Sequence, residues 1–218
     1  MTTIDSSEGK IIRKSMKILL RFIYVYLASA SVAIAGNQIT ITFDDIPGQG
    51  ELLVSNGYKG FQWSNFYASD LQTDSHTNGG QNSTISPPNV AFNGFGNPAN
   101  FSSSEAFDLD SAYLTAVWND GLQLEVQGFV GSTLTYDNIY TLTTASPQLI
   151  NFNYLGVDEV NFISSGGTHH AAYTGGSGTQ FAMDNLTVTV PEPSNLALIG
   201  MGLAIPLFIR RRKTNTAY

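Results

Sequence analysis

Residues 113–127 read YLTAVWNDGLQLEVQ. Tyr113, Thr115 and Val117 alternate with Leu114, Ala116 and Trp118; Leu122, Leu124 and Val126 alternate with Gln123, Glu125 and Gln127. A period of two sends successive side chains to opposite faces of a pleated strand, so each half reads as a strand with one face inward. Between them stand Asn119, Asp120 and Gly121, and Asp-Gly supplies the positive φ that a tight hairpin requires. This stretch is therefore expected to form two adjacent antiparallel strands.

The same pattern continues in both directions. Short alternating runs occupy residues 38–43, 60–68, 89–93, 104–108, 133–142, 148–154, 159–164 and 180–190, with Gly, Asn, Ser and Pro between them. No segment keeps a 3.6-residue period. Nine or ten strands at this spacing indicate an all-β domain over residues 37–190, an antiparallel β-sandwich of jelly-roll type. Two polar loops interrupt it, at 74–88 and 166–178, and the second carries His169, His170 and Tyr173.

The chain has 218 residues and no cysteine, which excludes a disulfide scaffold and a thiolate metal site. Its formal charge of -7 is unevenly spread. Between residues 37 and 190, Lys59 is the single basic side chain against fourteen carboxylates. The other nine Lys and Arg residues lie at the two ends. An acidic middle is unsuited to nucleic acid, whose phosphates demand basic surface.

The ends read as targeting segments. Residues 16–36 are MKILLRFIYVYLASASVAIAG: a charged head with Lys17 and Arg21, an apolar stretch over 22–30, and Ala33-Ile34-Ala35 before Gly36. That is the layout of a secretory signal helix cleaved after a small-x-small motif, with the Sec machinery as partner and either Met1 or Met16 as the start. Residues 1–36 are thus read as an N-terminal extension plus signal peptide. Residues 190–218 are VPEPSNLALIGMGLAIPLFIRRRKTNTAY. An apolar run ends at Ile209 and is followed at once by Arg210, Arg211, Arg212 and Lys213. Basic residues stay on the cytoplasmic side, so a short transmembrane helix is expected over about 195–209, inserted transiently. As a helix the run spans about 21 Å against a hydrocarbon core of about 30 Å.

Pro191-Glu192-Pro193, the short glycine-containing apolar run and the terminal Arg cluster together resemble the PEP-CTERM sorting signal. Pro206 inside the run and the polar residues 214–218 beyond the arginines depart from that pattern. The resemblance implies that residues 191–218 are a tail recognised by an exosortase in a Gram-negative bacterium. The tail would be removed near the Pro-Glu-Pro block as the protein passes from an inner-membrane intermediate to the cell surface or an exopolysaccharide biofilm matrix. The prolines suit this, because they lack amide donors and keep the site extended. The middle domain is similar to the jelly rolls of carbohydrate-binding modules in its opening TFDDI, residues 42–46, and its closing FAMDNLTV, residues 181–188. That second resemblance implies a structural Ca²⁺ held by Asp44, Asp45 and Asp184, since calcium takes six to eight oxygen ligands.

No nucleophile elbow, zinc-protease helix or phosphate loop is present in the sequence. The expectation is a non-enzymatic structural or polysaccharide-associated protein, the alternative being a glycan-active hydrolase or lyase on the same scaffold. Sugars stack on aromatic faces through their C–H surfaces. Trp63 and Trp118 fall in strands and are assigned to the core, leaving Tyr67, Tyr136 and Tyr173 as the carbohydrate-contact candidates.

Overall fold

The computed structural model describes residues 36–47 and 50–191. Twelve strands appear among them: β1 Asn37–Ile41, β2 Leu52–Leu53, β3 Gln62–Ser64, β4 Phe66–Ser69, β5 Val90–Asn93, β6 Ala99–Ala116, β7 Asn119–Asp120, β8 Leu122–Val130, β9 Thr133–Leu142, β10 Gln148–Ser165, β11 Thr168–His169 and β12 Phe181–Val190. The main sheet runs β2-β4-β5-β12-β6-β10-β8-β9, with β1 added on β12 and β3 on β6. All pairings are antiparallel.

One continuous ladder makes two layers because β6 and β10, eighteen residues each, belong to both. The later half of β6 pairs with β12 and the early half of β10; its beginning pairs with β3 and the later half of β10. Between these halves the β6–β10 register shifts three times, and Asn153 sits at φ 54°. Bulges of this kind bend and twist the strands, folding the sheet over its own apolar face. The result is a mostly β, sandwich-like topology.

Three expectations need correction. The first concerns the hairpin at 119–121. Gly121 does take a positive φ of 70°, yet β6 and β8 are not neighbours, because β10 lies between them. Asn119 and Asp120 pair instead with His169 and Thr168 in a separate two-stranded ladder. The local turn preference is satisfied, but the long β10 offers both strands a larger partner. The tight hairpin joins β8 to β9 through Gly131-Ser132, with Val130 opposite Thr133 and Gly131 at φ 60°.

The second concerns residues 60–68, which form two strands. Asn65, at φ 56°, breaks the run so that β3 joins β6 while β4 joins β5. The Asn65 amide fixes the switch by donating to the carbonyls of Gly94 (3.1 Å), Asn97 (3.2 Å) and Pro98 (3.1 Å).

The third concerns the flanking signal helix and the transmembrane helix over about 195–209. Both segments lie outside the described residues; among the described residues the only helices are four 3-10 turns of three or four residues. No described helix is long and apolar enough to cross a membrane. The sequence shows the weakness of the C-terminal expectation: the run is about one-third short of the hydrocarbon thickness and contains Gly200, Gly202 and Pro206.

The core is aromatic. Phe101 meets Phe61 at 5.3 Å, Trp63 at 5.0 Å, Phe107 at 5.4 Å and Phe162 at 6.1 Å between ring centroids. Phe66 and Phe181 join the same cluster from the other layer through Phe162. Phe101→Ala is expected to cost about 3–5 kcal/mol in urea unfolding, whereas Phe95→Ala, at a side chain 83% exposed, stays within about 0.5 kcal/mol.

Candidate ligand-binding cleft

The loops at 74–88 and 166–178 come together at one end of the domain. They cover a second, smaller apolar cluster of Leu71, Val90, Val117, Trp118 and Ala182, against which Tyr173 packs. Beside it opens a cleft of about 740 Å³, lined by Glu51, Asp70, Asp74, His76, Asn89 and Trp118 among others.

Trp118 lies two residues beyond the end of β6 and carries the cluster to the cleft wall. Its indole stacks on His169 at 6.3 Å with planes 23° apart. The backbone at Gly176 lies so close to the indole that a Cβ there would sit 2.4 Å from the ring. Tyr173 stacks on His170 at 4.2 Å, and the His169 ring nitrogen Nε2 contacts the Tyr173 carbonyl at 3.2 Å. His76 lies against Gly175. All three histidines of the chain therefore gather at this end, around one of its two tryptophans.

The aspartates nearby are occupied in shaping the loops. Asp70 Oδ1 accepts from the Gln72 amide at 3.1 Å and caps the turn Leu71–Thr73. Asp74 accepts from the His76 amide at 3.0 Å and from the Asn78 side chain at 2.7 Å. Asp120 accepts from the Thr144 hydroxyl at 2.6 Å.

The floor is tied down by Asp44 and Asp184. Asp44 accepts from the Asn89 amide at 2.9 Å, while the Asn89 side chain donates to the carbonyls of Phe43 and Ile46. Asp184, fully buried, accepts from the amides of Ile85 (2.6 Å), Ser86 (2.8 Å) and Asn185 (2.7 Å) and from the Ser86 hydroxyl (3.2 Å). Both carboxylates thus bind the segment 85–89 that brings Pro88 and Asn89 to the cleft. Asp45 turns elsewhere, to Lys59 and the Tyr58 hydroxyl.

The three aspartates named for calcium are therefore each engaged by protein donors. Among the described residues no group of three or more His, Asp or Glu is arranged to hold a metal ion. The three candidate tyrosines are not brought together either. Tyr173 packs against the small cluster that holds Trp118, Tyr67 stacks on Phe92 at 5.8 Å, and Tyr136 lies parallel to Tyr154 at 4.5 Å; none of the three lines the cleft. Trp63 is in the core as expected. Trp118 is also mostly covered but lines the cleft, a role its strand position concealed; its place directly before the turn residues 119–121 was the available signal. Of the sorting residues, Pro191 is described and follows β12 directly. Glu192, Pro193, Arg210, Arg211 and Arg212 lie outside the described residues, as do Ala33 and Ala35.

Burial pushes the Asp184 carboxyl above its usual value of 3.8, against the pull of the backbone donors around it. Its folded-state value therefore exceeds the unfolded one. The stability it contributes is present at low pH and is lost as pH rises through the folded-state value. Asp45, held below 3.8 first by Lys59 and then by Tyr58, has the opposite sign: its contribution is lost as pH falls. Relative to Asp184→Asn, which stays neutral, the wild type should lose stability as pH rises from about 3.8; relative to Asp45→Asn it should gain. Urea midpoints across a pH series measure both slopes.

Residues 189–213 match the PEP-CTERM protein-sorting motif, so the chain carries the sorting tail of an exosortase substrate. A search of the curated proteins finds no match. Among solved structures, the chain is similar to the N-terminal CBM22-1–CBM22-2 tandem domain of Paenibacillus barcinonensis Xyn10C. The identity is 12% and the TM-score 0.38, over 75% of this chain and 48% of that one, so this chain spans about half of that structure. A DUF4465 family protein from Bacteroides ovatus aligns at 8% identity and a TM-score of 0.41, over 73% and 91% of the two chains. TmCBM61 in complex with β-1,4-galactotriose aligns at 5% identity and a TM-score of 0.34, over 66% and 100%.

Proposed function

We propose that this is an exported, exosortase-processed protein of the cell surface or extracellular matrix, whose β domain binds polysaccharide without turning it over. Export through the Sec machinery of a Gram-negative bacterium and loss of the tail near Pro191-Glu192-Pro193 are parts of the same reading. The observation that carries the binding role is the cleft at the loop end. It combines the indole of Trp118 with the imidazole of His76, the carboxylates of Glu51, Asp70 and Asp74 and the amide of Asn89. Apolar surface beside a few polar groups is the composition of a site that takes a ligand with both C–H faces and hydroxyls.

The charge of the domain narrows the ligand. One lysine against fourteen carboxylates repels polyanions, so the cleft suits neutral or amino-bearing glycans rather than uronate polymers. The non-enzymatic reading is supported by the aspartates of the cleft, Asp70 and Asp74, which already serve as caps for their own loops.

Titration calorimetry of the full chain with chitosan oligosaccharides, a neutral β-glucan and alginate tests this. Chitosan or the glucan should bind and alginate should not, with no product formed over hours. Trp118→Ala and the rim variant His76→Ala should each weaken binding at least about tenfold, a loss of about 1.4 kcal/mol, while Tyr67→Ala and Tyr136→Ala leave it unchanged. Unaltered binding in both cleft variants would sink the cleft assignment. Mass spectrometry of the surface-exposed protein tests processing separately: a chain that still ends in residues 210–218 excludes it.

A further inference from the structure

A sheet that is not closed has edges, and an edge left long and flat is a template for another strand. Most edges here are blunted. β1, β2 and β3 are five residues or shorter, and the free side of β10 is broken by bulges. β9 is different. It ends the sheet order, runs for ten residues, and carries neither lysine nor proline; Asp137 is its single charge. Its register with β8 is unbroken from Tyr136 to Leu142, the one shift lying beside Thr135. Tyr136 on Tyr154 and Tyr140 on Phe152 pin it from the inner side, so the outer edge is already in the conformation a partner strand would need.

The sequence of β9 selects the partner. In an antiparallel pair, directly opposed residues either exchange both backbone hydrogen bonds or exchange neither. Two copies of one strand related by a two-fold axis must therefore centre on a residue, not between two. Centring on Asn138 sets Asn138 against Asn138, Tyr136 against Tyr140, and Asp137 against Ile139. The aromatic and amide side chains meet their own kind, and the one charge never faces its copy. Ile139, 65% exposed in the single chain, would gain cover. Cross-strand pairs of this kind are what stabilise a sheet.

We infer that β9 joins the β9 of a second copy of this chain, antiparallel and centred on Asn138, so that two domains share one continuous sheet. The inference is independent of the glycan reading, since the cleft is built from other strands and loops.

The chain has no cysteine, so an introduced thiol reports without background. In the full chain, Asn138→Cys should form a covalent dimer on mild oxidation. Ile139→Cys should not, because its own copy lies two residues further along and beyond the roughly 7 Å Cα separation that a disulfide tolerates. In the Asn138→Cys background, Ile139→Glu places like charges opposite at Asp137 and should reduce cross-linking at least tenfold, whereas Ile139→Lys, facing Asp137, should preserve it. Circular dichroism confirms that each variant is folded, as expected for exposed positions. Equal cross-linking of the two cysteine variants, no cross-linking of either, or indifference to the charge at 139 would each overturn the inference.

Discussion

The architecture depends on one constraint: β10 pairs with β6 from Gln148 to Phe162 and with β8 from Glu159 to Ser165. Because its register with β6 breaks between the two halves, the strand can bend from one layer into the other. The shifts near Asn151, Tyr154 and Val157 are where it turns. Everything aromatic in the core follows from that turn. Phe152 and Phe162, on the two halves of β10, meet at 6.4 Å and link rings from both layers. Without the bend the apolar face of a ten-stranded sheet would have nothing to cover it.

The bend also explains why the cleft sits at one end. Strands that cross between layers leave their connections at the ends, and there the loops 74–88 and 166–178 meet over Trp118. The chain fixes these loops with buried acceptors instead of apolar packing alone. Asp184 gathers four donors, three of them backbone amides. Removing such an acceptor would leave part-buried donors unpaired, at about 1–3 kcal/mol for each that water does not reach. A loop held this way can present polar groups to a ligand while remaining in place.

Strand content was legible in the sequence, because period-two alternation reports which residues face inward. Residues 133–142 and 180–190 illustrate this: β9 has those bounds, and β12 starts one residue later. Pairing was not legible. The turn at 119–121 has the chemistry of a hairpin, but whether its flanking strands touch depends on β10, which arrives thirty residues later. The same limit applies to the site. His169, His170 and Tyr173 stood out as residues of a long loop, and Tyr173 packs against the cluster beside the cleft without lining it. Trp118 did not stand out, because a tryptophan in an alternating run looks like any core residue until its neighbours are known. Tyr67 and Tyr136 went the other way: neither lines the cleft, and they stack on Phe92 and Tyr154.

The position of Lys59 has a consequence for resistance to proteolysis. Between Gly36 and Pro191, Lys59 is the one position at which a protease of trypsin-like specificity could cut. It sits in a 3-10 turn at φ 51°, with its ammonium bound to Asp45 and poised over the Tyr58 ring. Such an enzyme needs an extended substrate, which this turn does not offer. A domain almost stripped of lysine and arginine is thereby nearly invisible to a whole class of digestive enzymes, an asset for any protein that must persist in a shared extracellular space.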